Sequence, residues 1–299
     1  MTDHVRIVEV AARDGLQNES GFVATADKAE LIRRLAECGL CTIEATSFVS
    51  PKWVPQLADA EQLFALLPKD DGRRYPVLVP NLKGYERAVD CGVREVAVFA
   101  AASEAFSMRN INASIDESIV RFQPVLERAM EDGIAVRGYI STVLGCPYQG
   151  AVDTADVVRL AKTLRDMGCY EISLGDTIGV GTAHAARRLV QAVATEIPME
   201  TIAVHFHDTY GQALANVYAC LEAGVRTVDA SVSGTGGCPY AKGASGNLAT
   251  EDLVYALHGM GFATGVDLAR LVDTGAWLSR LLGRPSASKV YRALHYEKP

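Results

Sequence analysis

The sequence predicts an α/β chain folded as a (β/α)₈ TIM barrel with a C-terminal helical extension. Three observations carry that reading. Eight short β-rich runs recur along the 299 residues. Segments with helical periodicity lie between most of them. Five helical stretches end on the same signal before the next apolar run: Cys38-Gly39, Cys91-Gly92, Asp132-Gly133, Met167-Gly168 and Ala223-Gly224. Glycine takes the left-handed conformation that closes a helix without a Cβ clash. One stop signal used five times means one repeated unit, and strand–helix alternation means a parallel sheet.

The elements follow in order. Val5–Val10 is the first run, and Ala11-Ala12-Arg13-Asp14-Gly15 follows it. A doubly wound open sheet would usually show G-x-G-x-x-G there, so the closed barrel is preferred. A helix over Lys28–Glu37 leads to the second run, Cys41–Thr46. Tyr75–Val79 and Arg94–Ala100 are the third and fourth. Helices over Ser114–Glu131, Thr154–Met167, Ala183–Glu196 and Gln212–Glu222 precede runs five to eight. Those runs are Ala135–Ser141, Cys169–Leu174, Thr201–His207 and Thr227–Val232. Eight units in about 250 residues is the usual barrel size. With no Pro/Ser tract and no charge block, one catalytic domain over residues 1–299 is expected. The barrel takes about 5–250 and a helical cap and tail about 251–299. Leu253–Met260 and Leu268–Leu282 form the cap, and Ser286–Pro299 reads as a peripheral tail.

Composition removes several classes. Half the chain (49%) is apolar, too much for a disordered segment. The 29 Lys+Arg against 36 Asp+Glu give −7, with no run of basic residues, which argues against a nucleic-acid partner. The longest uncharged stretch, Gly138–Val152, is too short and too polar to span a bilayer. The start, Met1-Thr2-Asp3-His4, resembles neither a signal peptide nor a transit sequence. The seven cysteines are odd in number and lack zinc spacing, so a reducing cytoplasm is expected. Six of them (Cys38, Cys41, Cys91, Cys146, Cys169 and Cys220) read as core thiols.

A barrel of this kind carries its chemistry at the C-terminal ends of its strands. Reactive residues cluster there. Run one leads into Arg13-Asp14, and run two carries Glu44. Run six leads into Ser173-Leu174-Gly175-Asp176-Thr177, and run seven ends in His205-Phe206-His207. Asn247 closes the glycine-rich loop after run eight. His205-x-His207 is the strongest signal, because residues two apart in a strand share a face. An isolated H-x-H is more often a hydrogen-bonded core pair. Here Asp14 and Asn247 add oxygens at neighbouring strand ends, a set suited to a hard divalent ion such as Mg²⁺ or Mn²⁺. Zinc is less favoured, since no thiolate joins.

Arg13 is either a rim salt bridge or a cation placed to hold a carbonyl oxygen as it becomes negative. Glu44, inside an apolar run, needs a partner, and Arg13 is the expected one. Asp176 is either an N-cap or an active-site carboxylate. Gly234, Gly236, Gly237, Gly243 and Gly246 surround Cys238 and read as hinges of a lid. Lys52 and Lys242 are either phosphate contacts or plain surface charges.

Five segments together are similar to the 3-hydroxy-3-methylglutaryl-CoA lyase family: Val8–Glu19, Ser47–Gln56, Pro80–Gly84, Gly168–Gly179 and His205–Asn216. So is the Cys238–Asn247 loop. The resemblance covers nearly the whole chain. Its Arg-Asp plus H-x-H core is shared with isopropylmalate synthase. This sequence departs from the family's pattern at Ala11-Ala12, where Gly-Pro is expected, at Thr235, where Leu is expected, and at Ala113, where Cys is expected.

The resemblance implies cleavage of 3-hydroxy-3-methylglutaryl-CoA to acetyl-CoA and acetoacetate, with an acyl-CoA as the small-molecule partner, a homodimer and a place in leucine breakdown. By position it makes Asp14, His205, His207 and Asn247 metal ligands, and Arg13 the group on the thioester carbonyl. It makes Cys238 the catalytic thiol, and Glu44 and Asp176 active-site carboxylates. Ser47, Ser173 and Thr177 become substrate contacts. Either Asp14 or His205 takes the hydroxyl proton. A lyase for a longer 3-hydroxy-3-alkylglutaryl-CoA, a condensing synthase and a non-catalytic barrel are the rival readings. A synthase would usually carry a further C-terminal domain, and a non-catalytic barrel would be expected to have lost ligands.

Overall fold

The computed structural model describes residues 3–19, 21–69, 71–237 and 246–295. Cys238 and Lys242 therefore lie outside the described residues. Eight parallel strands form one sheet: β1 (Arg6–Glu9), β2 in two pieces (Thr42–Ile43 and Thr46–Ser47), β3 (Val77–Leu78), β4 (Glu95–Ala101), β5 (Ala135–Ser141), β6 (Glu171–Asp176), β7 (Ile202–Phe206) and β8 (Thr227–Ala230). Each pairs with its sequence neighbours, and β8 returns to β1 through Arg6↔Thr227 to Glu9↔Ala230. Closure occurs within β2. Its first piece pairs with β1 and its second with β3. The two residues between them stay bonded, Glu44 N to the Glu9 carbonyl and Ala45 N to the Pro76 carbonyl. The predicted barrel is therefore the observed one, with run two broken between its two short pieces.

The helices cover the outside: α1 (Thr25–Glu37), α2 (Ala60–Ala65), α3 (Leu82–Asp90), α4 (Glu104–Ile111), α5 (Ile115–Asp132), α6 (Thr154–Asp166), α7 (Ala183–Val193) and α8 (Ala213–Glu222). Their buried stripes pack on the outward faces of the strands, as Leu160, Ala161 and Leu164 of α6 illustrate. Gly133 closes α5 at φ +67, the left-handed cap its sequence signalled. α2, α3 and α4 are additions to the expected set. They are short, and their periodicity covers too few turns to stand out.

The cap comprises α9 (Thr250–Gly259), α10 (Leu268–Leu282) and α11 (Lys289–Leu294). The tail is less peripheral than expected. Ser288 is fully buried, and Asp252 accepts hydrogen bonds from the Ser288 hydroxyl and from the backbone N–H groups of Lys289 and Val290. The cysteines also differ. Cys38, Cys146, Cys169 and Cys220 are buried, but Cys41 is exposed and Cys91 half-buried. No helix among the described residues is long and apolar enough to cross a membrane.

The barrel lumen is ionic rather than aliphatic. Arg6 of β1 pairs with Glu171 of β6. Glu171 accepts from Arg137 Nε of β5 at 2.7 Å. Arg137 also grips Asp229 of β8 with both terminal nitrogens, at 3.0 and 2.7 Å. Asp229 faces His205 of β7. Side chains from five strands meet only inside a closed sheet. This column leads from the N-terminal end of the barrel to its C-terminal mouth.

Candidate active site

The mouth is assembled from the first turn outward. After β1 the chain makes one π-helical turn over Ala11–Gly15. Ala11 and Ala12 are fully buried, and their small side chains let the turn sit against the strand ends. Glu9 fixes it from below. Its Oε1 accepts from Ala11 N and Val232 N, both at 3.0 Å, and its Oε2 from the Thr250 hydroxyl at 2.6 Å. Gly15 has to be glycine, because a Cβ would collide with the Thr235 hydroxyl. Thr235, one of the family departures, is thus part of this fit.

The turn presents Arg13 and Asp14 side by side. Arg13 is 7% exposed, and its Nε lies 2.8 Å from Glu44 Oε2. That contact falls short of a linear hydrogen bond, so the attraction is chiefly Coulombic. Arg13 also donates to Asp14 Oδ1 at 2.9 Å, and its guanidinium stands 5.6 Å above the Tyr139 ring. Burial would favour a neutral guanidine, yet Glu44 and Asp14 more than offset it and keep the cation. Burial pushes the Glu44 carboxyl up, against the pull of Arg13. The expected Arg13–Glu44 pairing is present.

Asp14, His205 and His207 each offer a ligand atom, all within 4.8 Å of one another. These three could hold a metal ion. Burial raises the Asp14 carboxyl, but Arg13 and the two imidazoles outweigh it and leave it at about 2. His207 is pushed down to about 4, by burial first and then by His205. Burial also presses on His205, but Asp229 prevails and raises it. Asn247 is brought in by the chain returning after β8, which pairs with the end of β7 through His207↔Asn247 and Asp208 N to the Gly246 carbonyl. Its Nδ2 donates to Asp14 Oδ2 at 2.8 Å and to the Thr235 carbonyl at 3.0 Å. Its Oδ1 is buried without a partner. An orphaned carbonyl beside two imidazoles and a carboxylate fits a hard cation.

The other predicted residues have identifiable positions. Ser47 is buried at the end of β2 with its hydroxyl unpartnered. Ser173 donates to Asp229 at 2.8 Å, below His205. The Thr177 hydroxyl accepts from Thr142 N at 2.8 Å, beside a left-handed residue, φ +62. Asp176 is buried and accepts from Val180 N and Gly181 N. Its own carbonyl lies 3.1 Å from His207 Nδ1, so it shapes the turn and orients that ring. Lys52 is exposed. Gly246 was expected as a hinge, but close approach requires it. A Cβ there would strike the carbonyl oxygens of Gly234 and Gly236.

Sequence reasoning overlooked Glu9, Arg137, Tyr139, Glu171 and Asp229. A usable signal existed. Arg137-x-Tyr139, Glu171-x-Ser173 and Thr227-x-Asp229 place polar groups two apart in apolar runs, the same period that exposed His205-x-His207.

Known proteins share this sequence and fold. The HMGL-like family matches residues 4–278. The chain is 58% identical over 290 residues to the 3-hydroxy-3-isohexenylglutaryl-CoA/hydroxy-methylglutaryl-CoA lyase of Pseudomonas aeruginosa, covering 97% of each protein. It is 57% identical over 289 residues to the mitochondrial hydroxymethylglutaryl-CoA lyase of Bos taurus, covering 97% of this chain and 89% of that one. The crystal structure of hydroxymethylglutaryl-CoA lyase from Pseudomonas aeruginosa has a TM-score of 0.95 and 57% identity, over 98% of both chains. With the match running from the first strand into α10, and with backbone and sequence in agreement along it, the chain belongs to the HMGL-like family.

Proposed function

We propose that this chain cleaves 3-hydroxy-3-methylglutaryl-CoA to acetyl-CoA and acetoacetate. The observation that carries the reading is a buried guanidinium, Arg13, directly beside the Asp14–His205–His207 cluster. The relatives' names support it. Asp14, His205, His207 and Asn247 would hold Mg²⁺ or Mn²⁺. Such an ion, when bound, lowers the pKa of an alcohol or water beside it.

The protein's own groups do the rest. The tertiary hydroxyl of the substrate gives its proton to a base of the Asp14–His205 pair. The bond between C2 and C3 breaks, and its electron pair moves into the thioester. The hydroxyl carbon becomes the ketone of acetoacetate. Arg13, fixed by Glu44, is positioned for the enolate oxygen that forms, in a site where little water screens the charge. Protonation of the enolate carbon gives acetyl-CoA. Cys238, outside the described residues, is the proposed donor on the strength of the sequence. Ser47, with its free hydroxyl, is a proposed substrate contact. Ser173 and Thr177 act through Asp229 and Thr142.

The test is direct. The purified protein, stripped with EDTA, is given 3-hydroxy-3-methylglutaryl-CoA with and without Mg²⁺ or Mn²⁺. Acetoacetate should appear only with metal. No acetoacetate under any condition would overturn the reaction, and undiminished formation after chelation would overturn the metal.

A further inference from the structure

We infer that Asp229 is a positioning residue for the metal centre. It fixes the His205 imidazole, as tautomer and in orientation, and Arg137 and Ser173 hold it in place. The inference rests on the metal-site reading above.

Three features carry it. First, His205 Nδ1 lies 3.3 Å from Asp229 Oδ2. An ionised carboxylate accepts but cannot donate, so Nδ1 must carry the hydrogen. In the neutral ring the lone pair is then on Nε2, the nitrogen left for the cluster with Asp14 and His207. Second, Asp229 is itself immobilised. It is 1% exposed, and three further donors reach its oxygens: both Arg137 terminal nitrogens and the Ser173 hydroxyl. Arg137 is held in turn by Glu171 at 2.7 Å and by the Tyr139 hydroxyl at 2.9 Å. Third, the pairing is set by register. Val8↔Asp229 and His205↔Asp229 tie β8 between β1 and β7, so the carboxylate faces the ring wherever the barrel is closed.

The two imidazoles are locked by different acceptors. His207 faces the main-chain carbonyl of Asp176, a neutral acceptor. His205 faces a full negative charge. Both partners enforce the same tautomer, but only the Asp229 side makes its ring more electron-rich. Loss of a group in this relation to a metal ligand commonly weakens metal affinity by roughly 10–100-fold.

The experiment uses the full chain with Asp229→Asn. An amide can donate, so it permits the other tautomer and leaves Nε2 protonated in part of the population. Mn²⁺ is titrated into metal-stripped protein and the free ion is followed by electron paramagnetic resonance. The ring nitrogens are observed by ¹⁵N NMR of histidine-labelled protein, and folding by circular dichroism. Expected are a native spectrum, Mn²⁺ binding roughly 10–100-fold weaker, and a His205 signal moved away from the single Nδ1–H form. Wild-type affinity with an unchanged tautomer in folded protein would overturn the proposal. Asp229→Asn leaves Arg137 with one carboxylate fewer. If that variant fails to fold, Asp229→Asn combined with Arg137→Met removes both charges, and the same two outcomes decide. Failure of the metal reading is distinguishable, since wild-type protein would then take up no Mn²⁺. None of these readouts depends on the lyase assay.

Discussion

Arg13 has two neighbours of opposite charge, and the balance among them defines its use. Glu44 neutralises it from within the wall, while Asp14 faces the mouth. Arg13→Gln keeps a polar, though shorter, side chain and removes the charge. We expect a folded protein whose kcat falls roughly 10²–10³-fold, the usual effect of losing one donor to a developing oxyanion. Steady-state kinetics with circular dichroism check this, and near-normal turnover would return Arg13 to a structural salt bridge. Arg13, Asp14, His205 and His207 were legible because each pair is adjacent or two apart in the chain. Asp229 was not. Thr227-x-Asp229 carries the two-apart polar period, but its partners Arg137 and Ser173 come from strands far away in sequence, so the period alone did not say what it meets. Spacing reveals short-range constellations only.

Among the elements, the turn after β1 and the loop after β8 depend on one another. Glu9 touches both, Gly15 and Gly236 are where their backbones come closest, and Gly246 is where the loop folds back on its own Gly234 and Gly236. The five glycines around Cys238 were read as hinges, but sequence cannot distinguish flexibility from a lack of room. Gly246→Ala should destabilise the fold by about 1–3 kcal/mol, the common cost of overpacking a tight site. It should also weaken Mn²⁺ binding through the displaced Asn247. A denaturant melt and a metal titration check both, and an unaltered melting curve would show that the loop has slack. The strands were legible to within a few residues, because apolar runs bounded by glycine persist in any sheet context. The break in β2 was hidden, since nothing in Thr42–Ser47 marks where regular pairing with β1 gives way to pairing with β3.

For the whole molecule, burial of carboxyls sets a pH dependence. Burial pushes Glu9 up to about 7 and Glu251 up to about 8, although each accepts backbone hydrogen bonds. The folded chain therefore keeps protons that the unfolded chain releases from about pH 4.5 upward. Stability from these groups is complete below that value and is lost as pH rises towards 8. The melting temperature should fall between pH 5 and pH 8.5, and Glu251→Gln should flatten the fall. A pH-insensitive wild type would contradict the burial of these groups.

The barrel wall is also uneven. β4 and β5 pair over seven residues, whereas β2 and β3 share two. Amides of Val77 and Leu78 should exchange with deuterium faster than those of Val96–Ala100, and equal protection would show a uniform wall. The thin stave carries Glu44, and Glu44 holds Arg13. The hoop is therefore loosest where Arg13, the cation proposed for the enolate oxygen, is anchored. A thioester that grips Arg13 from the mouth would tighten the seam from inside, so substrate itself acts as the last fastening of the barrel.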